Sequence, residues 1–174
     1  NGWRILHESL EAFKAGRCPE DVLQTAVEGM SQLNVIGRDI AHARGAHACT
    51  DITGFGLAGH AAELAHASRV TVVLEMNRLP VLPGAEDLAR RGNHTRASAS
   101  NRSFADPFTR IEPSTDELRL DVAFDAQTSG GLLIALPADA AEPAVAAARE
   151  RGATFAAIVG SVTERQDQAL ILRN

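Results

Sequence analysis

The stretch of this 174-residue chain best suited to chemistry is His47–His60, HACTDITGFGLAGH, here called the first motif. Its apolar start predicts a short strand that delivers Asp51 to the strand end, before a Gly-rich turn at Thr53–Gly56 and a helix from about Leu57. Outward-pointing N–H groups at a helix start favour anions, and a carboxylate at the mouth of that turn suits a Mg²⁺ ion that bridges to phosphate oxygens. The alternative is a structural turn in which Asp51 only caps the helix.

A second stretch of small and polar residues, Phe124–Gly131, reads FDAQTSGG and leads into an apolar strand predicted over Leu132–Leu136. Its two adjacent glycines permit a positive φ or a close approach of two backbones, and the hydroxyls of Thr128 and Ser129 offer local hydrogen bonds. Taken alone, this second motif predicts only a turn.

Other reactive side chains carry weaker signals. Cys49 lies close to Asp51 and could be a nucleophile, but nothing beside it would lower its pKa, so we expect a buried, inert thiol. His60 and His66 fall on the predicted helix, where we expect surface or half-buried imidazoles rather than catalytic groups. Cys18 and Cys49 lack metal-ligand spacing, which indicates a reducing, cytoplasmic compartment.

The composition is that of an ordinary globular domain, with 45 % hydrophobic and 22 % charged residues. A net charge of -5 argues against a nucleic-acid or anionic-membrane surface, and no apolar run is long enough to span a membrane. We expect a single domain over residues 1–174 and no signal peptide. Because the sequence starts at Asn1 rather than Met, we also expect it to be part of something longer.

Apolar periodicity predicts the elements that must position the two motifs. Three helices are predicted before the first strand, over residues 3–14, 19–33 and 35–43. The helix of the first motif is predicted to end near Ser68, and a buried strand follows over residues 70–76. A short helix is predicted over residues 85–91.

Residues 92–114 show no apolar period and are predicted as a long loop, which inside a compact domain is usually functional. Four arginines make this stretch locally basic: Arg91, Arg96, Arg102 and Arg110. They would suit an anionic ligand, or they would merely keep the loop solvated. Ser114 and Glu117 have the spacing of a capping box, which predicts a short helix running to about Val122.

The remaining pattern predicts a helix over residues 138–151 and a strand over residues 155–162. A polar turn should join that strand to a last one, over residues 169–172, as a hairpin. The whole pattern predicts an α/β (α+β) fold with a mixed sheet of about four to five strands flanked by helices.

The two motifs together resemble the two signatures of the C-terminal half of selenophosphate synthetases (selenide, water dikinases), on TDITGFGLAGH at 50–60 and FDAQTSGGLLIALP at 124–137. This family shares a superfamily with aminoimidazole ribonucleotide synthetase, a hydrogenase maturation factor and thiamine-monophosphate kinase. The resemblance covers the chain from about Gln24 to its end, and Asn34 and Leu82–Gly84 fit it as well. It implies a fold like the C-terminal domain of aminoimidazole ribonucleotide synthetase.

The resemblance also implies a two-domain enzyme that makes selenophosphate, AMP and phosphate from selenide, ATP and water. An N-terminal domain, absent here, would carry a Gly-rich segment with a reactive Cys or selenocysteine, a Lys, and most of the Mg²⁺-binding aspartates. The present chain would close over the phosphates and supply one metal ligand, Asp51. It would hold no catalytic residue, so that the fragment alone would be inactive. The full-length enzyme would be a cytoplasmic homodimer with no nucleic-acid or membrane partner.

The resemblance further implies that both motifs line the phosphate side of the cleft, through Thr53, Gly54, Gly56, Gln127, Thr128, Ser129, Gly130 and Gly131. Asn101 is a further candidate, and the chain departs from the family just before it, where Ala97–Ser100 replace a Gly-Gly-Thr-type segment. Two alternatives stay open: a related ATP-dependent enzyme with another acceptor, and a non-catalytic nucleotide-binding module. The sequence upstream would separate the first alternative from selenium chemistry.

Overall fold

A computed structural model describes Gly16 and residues 18–82, 84–92 and 97–174 of the chain, and the helix predicted over residues 3–14 lies outside them. The described part contains seven α-helices: α1 Glu20–Ser31, α2 Val35–Ala43, α3 Gly56–Ser68, α4 Ala85–Arg90, α5 Ala97–Ala105, α6 Glu117–Phe124 and α7 Ala138–Glu150. It contains six strands: β1 Ala48–Asp51, β2 Val70–Glu75, β3 Thr109–Ile111, β4 Leu132–Ala135, β5 Gly160–Glu164 and β6 Leu170–Arg173. Short 3₁₀ helices cover Met76–Arg78 and Asp106–Phe108.

The strands form two sheets. The larger is mixed, with the order β3-β6-β2-β5, in which β6 runs parallel to β2 and β3, and β5 runs antiparallel to β2. The smaller is the antiparallel pair of β1 and β4, with Asp51 opposite Leu132. The predicted mixed α/β class is therefore confirmed, and the strands are divided between a four-stranded sheet and a separate pair.

Helix α3 is the element around which the core is built. Its buried side chains are Leu57, Ala58, Ala61, Ala62 and Ala65, each with no exposed surface. Because these residues are mostly alanines, α3 can approach its neighbours closely, and it packs against β2, β6 and α6. This packing fixes the N-terminal end of α3, and with it the turn of the first motif, against the larger sheet.

The hairpin predicted at the C-terminal end of the chain is wrong. Strands β5 and β6 do not pair with each other, because β2 lies between them in the sheet. The strand predicted over residues 155–162 begins only at Gly160, where a Cβ would lie 2.0 Å from the Val73 carbonyl oxygen. Phe155 and Val159 instead pack against the core ahead of the strand, which accounts for the apolar pattern there.

The long loop predicted over residues 92–114 is also wrong over most of its length. Residues 97–111 form α5, a 3₁₀ turn and β3. Helix α5 is rich in serine and buries only Asn101 and Ala105, so its sequence lacks the apolar stripe by which helices are recognised. Residues 93–96 lie outside the described part of the chain.

The helix predicted after the capping box exists, but Ser114 does not begin it. Helix α6 starts at Glu117, and its N-cap residue is Asp116, whose side chain accepts a hydrogen bond of 2.8 Å from the Leu118 amide. The helix runs on to Phe124 and so reaches the first residue of the second motif.

In the described residues, no helix is long and apolar enough to cross a membrane.

Candidate functional site

The two motifs, far apart in sequence, lie side by side in the structure. Their strands β1 and β4 pair, and the contact continues past the strand ends through two backbone hydrogen bonds. The Ile52 amide donates to the Gly131 carbonyl, and the Gln127 amide donates to the Thr53 carbonyl, each at 2.9 Å. The Gly-rich turn of the first motif is therefore built directly against the second motif.

Two glycines allow this close approach. At Gly130 a Cβ would lie 2.0 Å from the Ile52 carbonyl oxygen, a distance that no side chain can occupy. Gly56 has φ +68°, and a Cβ there would lie within 2.8 Å of the Ala123 and Asp125 carbonyl oxygens. Gly54 is different, because it is exposed and its Cβ would meet nothing within 4 Å. Gly130 and Gly56 are thus required for packing, whereas the backbone at Gly54 is exposed at the surface.

Asp51 lies at the end of β1 and is exposed. Among the residues that the structure describes, none donates a hydrogen bond to its carboxylate. The alternative role as a helix cap is wrong, because the N-cap residue of α3 is Phe55 and no side chain caps it. The Asp51 carboxylate is thus available as an oxygen ligand beside the turn.

A magnesium site made by the described residues alone would be incomplete. They contain no group of three or more His, Cys, Asp and Glu side chains that could hold a metal ion. Mg²⁺ is commonly bound by one or two carboxylates together with waters and phosphate oxygens, so a single exposed carboxylate fits it as one ligand of a shared site. The donor set of the described residues is compatible with that ion and insufficient to hold it unaided.

Thr53 and His60 are in contact across the first turn of α3. Thr53 Oγ1 lies 3.1 Å from His60 Nε2, and the Glu63 carboxylate lies 3.7 Å from His60 Nδ1. The His60 side chain is 12 % exposed, and its ring also packs against Phe55. His66 is exposed and contacts the Phe108 ring, so both imidazoles occupy the surface or half-buried positions expected of them.

The residues of the second motif divide into exposed and buried ones. Thr128 and Ser129 are exposed, and Ser129 has φ +51°. Gln127 is 5 % exposed, and its Nε2 donates to the Asp125 carbonyl at 3.3 Å. Thr128 and Ser129 are therefore accessible from solvent, while Gln127 shapes this segment from within.

Asn101 connects the two motifs from α5. It is 5 % exposed, and its amide nitrogen donates to the Gly54 carbonyl at 2.8 Å and to the Phe124 carbonyl at 2.9 Å. These hydrogen bonds satisfy one backbone oxygen in each motif, and that of Phe124 is buried. The structure thus gives Asn101 a structural role at the site, and a direct contact with a ligand stays a prediction.

Two further side chains support the second motif through contacts that the residue pattern did not predict. Ser98 Oγ donates to Asp125 Oδ1 at 2.6 Å, and Asn34 Nδ2 donates to the Gly130 carbonyl at 3.0 Å. Asp125 is 1 % exposed, and a buried carboxylate must find donors. The signal available in the sequence was Asp125 itself, which follows an apolar helix directly and so predicts a buried acid in need of partners.

Cys49 lies two residues before Asp51 on β1 and is exposed, so its predicted burial is wrong. Desolvation of the thiol still raises its pKa above the ordinary value, and the Asp51 carboxylate raises that pKa further. Because the thiolate is the nucleophilic form, a raised pKa supports the expected inert thiol. Cys18 is buried, and desolvation followed by the charge of Asp21 raises the pKa of its thiol too.

Two arginines of the region predicted as a loop form ion pairs at the surface. Arg102 lies 3.2 Å from a Glu117 carboxylate oxygen, and Arg110 lies 2.9 Å from one of Asp167. Both pairs are exposed, and the Arg102 guanidinium also lies over the ring of Phe124 in the second motif, 6.0 Å from its centroid. Arg96 lies outside the described residues.

Comparison with known proteins finds relatives over nearly the whole chain. The family model of the AIR synthase related protein, C-terminal domain, matches residues 16–173. The selenide, water dikinase of Caldanaerobacter subterraneus subsp. tengcongensis is 38 % identical over 162 residues, and that of Porphyromonas gingivalis is 39 % identical over 165 residues. These matches cover 93 % and 94 % of the chain but 47 % of each relative, so the chain spans about half their length.

A solved structure shares the fold. The crystal structure of hydrogenase maturation protein HypE superposes on 98 % of the chain with a TM-score of 0.63 and 23 % sequence identity, and the match covers 47 % of HypE. At this level of identity the likeness concerns architecture alone. The same half-length coverage recurs in the structural and the sequence matches.

Proposed function

Because this chain belongs to the family of AIR synthase related proteins, as their C-terminal domain, we propose that it forms half of an ATP-dependent selenophosphate synthetase. The observation that carries the proposal is the similarity to two selenide, water dikinases at 38 % and 39 % identity over nearly the whole chain. The reaction would convert selenide, ATP and water into selenophosphate, AMP and phosphate. The nucleophile and the other metal ligands would lie in the half of the enzyme that this chain does not match, an N-terminal domain.

In this function Asp51 would be the metal-binding residue of the chain. Its exposed carboxylate stands at the strand end beside the Gly-rich turn, which supports that assignment. Mg²⁺ would supply neutralisation of phosphate charge, which phosphoryl transfer requires above all. The chain's own contribution is to hold one carboxylate in a fixed position next to the bound nucleotide.

The two motifs would form the wall of the cleft that faces the phosphates. The exposed Gly54, Thr128 and Ser129 would contact phosphate oxygens directly, through backbone N–H groups and hydroxyls. Thr53 would lie beside these three residues. The buried Gly56, Gln127 and Gly130, with Gly131, would keep the two segments in contact, and Asn101 would tie both to α5.

Three further properties belong to the same proposal. The full-length enzyme would be a homodimer, it would require Mg²⁺, and it would act in the cytoplasm. Support for the last comes from Cys18 and Cys49, which are both free thiols, as a reducing compartment would keep them. This chain alone would be inactive, because it would lack the nucleophile and most metal ligands.

The first test is phosphorus NMR on the full-length parent enzyme with ATP, Mg²⁺ and selenide, beside its Asp51→Asn variant. We expect a selenophosphate signal from the parent and a rate lower by roughly two orders of magnitude or more in the variant. Asp139→Asn, an exposed carboxylate in the first turn of α7, is the matched control and should leave the rate unchanged.

Each contrary result has a distinct meaning. Equal product from the parent and from Asp51→Asn would remove Asp51 as an essential ligand and leave the enzyme assignment in place. A folded, ATP-binding parent that makes no selenophosphate would contradict the proposed function and favour another acceptor or a non-catalytic nucleotide-binding module.

A further inference from the structure

The Thr53 hydroxyl and the His60 ring make a polar contact, which packing alone does not require. Thr53 Oγ1 lies 3.1 Å from His60 Nε2, while the opposite ring nitrogen, Nδ1, faces the Glu63 carboxylate at 3.7 Å. The three side chains thus form two successive contacts, from Glu63 on the surface of α3 through His60 to Thr53 in the turn of the first motif. His60, the central residue, is only 12 % exposed.

The backbone of Thr53 is held on two sides. Its carbonyl oxygen accepts a hydrogen bond of 3.0 Å from the Gly56 amide and one of 2.9 Å from the Gln127 amide. The remaining freedom at this position is the rotation of the side chain and of its hydroxyl hydrogen. His60 is the partner that determines both.

The Glu63 carboxylate beside Nδ1 bears on which ring nitrogen of His60 carries hydrogen. A negative charge near Nδ1 favours the tautomer with hydrogen on that atom, which leaves Nε2 as an acceptor. The Thr53 hydroxyl must then donate its hydrogen to Nε2. A hydroxyl that has used its hydrogen in this way offers only lone pairs to any other group, so it suits a cation or a cation-bound water rather than a phosphate oxygen.

Burial alternates from the end of β1 into the turn of the first motif. Asp51 is exposed, Ile52 is 3 % exposed and belongs to the core, and Thr53 is half-buried. We propose that His60 is a positioning residue that keeps the Thr53 hydroxyl turned toward its own ring, so that the Thr53 oxygen faces a hydrated divalent cation at Asp51. This inference rests on the proposed function and extends the same site from one oxygen-bearing side chain to two.

The first test reads the tautomer of His60 without metal, ATP or selenide. Imidazole nitrogen NMR of the ¹⁵N-labelled full-length protein would be recorded at about pH 8, where an ordinary imidazole is neutral. The His60 signals would be assigned by their loss in His60→Gln. We expect hydrogen on Nδ1 and an unprotonated Nε2, and loss of the hydrogen bond to Nε2 in Thr53→Val. Hydrogen on Nε2 would overturn the inference.

The second test measures the affinity of the full-length enzyme for Mn²⁺ alone, as a probe of the cation site, by paramagnetic resonance. Thr53→Val and His60→Leu should each weaken binding by roughly tenfold, as loss of a supporting partner around a metal does. His60→Gln, whose amide oxygen can accept the same hydrogen bond, should restore most of the affinity, and Thr53→Ser should retain it.

The double variant Thr53→Val/His60→Leu separates a positioning role from a structural one. If His60 acts through Thr53, the double variant binds Mn²⁺ no more weakly than Thr53→Val alone. A further tenfold loss in the double variant would overturn the inference. So would Mn²⁺ affinity that is the same in wild-type protein and in Thr53→Val. Selenophosphate formation by the parent tests the proposed function separately, since neither of these measurements uses selenide.

Discussion

Cys49 and Asp51 occupy alternate positions on β1, both exposed, and the Asp51 carboxylate alters the chemistry of the Cys49 thiol. The carboxylate raises the pKa of the thiol in addition to the effect of desolvation. A cysteine close to a candidate metal ligand invites a catalytic assignment, and its protonation argues against one. At the scale of single residues, the direction of a pKa is therefore more informative than proximity.

Alkylation of Cys49 provides a direct check. We expect iodoacetamide to modify Cys49 in the full-length protein more slowly at pH 7 than it modifies free cysteine, and the rate to rise into the alkaline range, because little thiolate is present below the raised pKa. Asp51→Asn removes one of the two causes and should increase the rate at pH 7, whereas Asp139→Asn should not. Mass spectrometry of the Cys49 peptide measures both. A rate at pH 7 equal to that of free cysteine would contradict the raised pKa.

Gly130 and Gly54 form a second comparison at this scale, because they are neighbouring glycines of the site with opposite surroundings. Gly130→Ala places a methyl group against the Ile52 carbonyl oxygen and should lower the free energy of unfolding by about 2–3 kcal/mol. Gly54→Ala meets open space and should change it by less than about 0.5 kcal/mol. Thermal unfolding of the full-length variants measures this difference, and equal midpoints for the two would refute the packing argument.

Much of the site could be predicted from residue types, and its orientation could not. A carboxylate at a strand end, followed by a Gly-rich turn and a helix, indicated the first motif, and Gly130 already suggested a close approach of backbones. The sequence could not show that Gln127 and Asn101 face inward while Thr128 and Ser129 face solvent. The spacing of residues in a turn does not determine which side chains point outward, because that depends on what packs against the turn.

Among the elements, α5 shows most clearly where pattern recognition fails. Its sequence, ASASNRSFA, carries no apolar stripe, and serine favours turns and caps over helix interiors. The helix forms because Asn101 and Ala105 dock on the core, and because Asn101 bonds to the carbonyls of Gly54 and Phe124. Here tertiary contacts override local propensity.

Removing the Asn101 amide should therefore loosen both motifs together. Asn101→Ala leaves two carbonyl oxygens without this donor, and we expect the free energy of unfolding to fall by about 2–3 kcal/mol. Ser103→Ala, on the exposed side of α5, is the matched control and should be nearly neutral. Thermal unfolding gives the magnitude, and hydrogen exchange should show faster exchange in both the Thr53–Gly56 and the Asp125–Gly131 segments. Faster exchange in only one of them would contradict the bridging role.

The wrong hairpin has a different cause. Strands next to each other in sequence usually pair, so β5 and β6 were expected to do so. Strand β2 is buried along Thr71–Leu74, as a strand with neighbours on both sides is, and it takes the position between them. The sequence of β2 indicated a central strand, but not which strands would flank it.

For the molecule as a whole, the fold class was more predictable than the arrangement. Hydrophobic periodicity located most helices and strand β2 to within a few residues, because those elements bury one strongly apolar face or run. The division into a four-stranded sheet and a separate β1–β4 pair was not predictable, since it depends on long-range pairing. Because of this division, Asp51 lies on the β1–β4 pair next to the turn and not in the larger sheet.

The strand order of the larger sheet also bears on how the protein is made. Strand β2 finds its partners only far along the chain, with Val72 opposite Leu170 and Val70 opposite Glu164. While a ribosome is still producing the residues between them, the apolar VTVVL run has no strand to pair with. Nascent chains that expose an unpaired apolar strand are slow to fold and prone to aggregate. Chaperone engagement during translation should therefore centre on residues 70–75 and end once β6 has emerged from the ribosome.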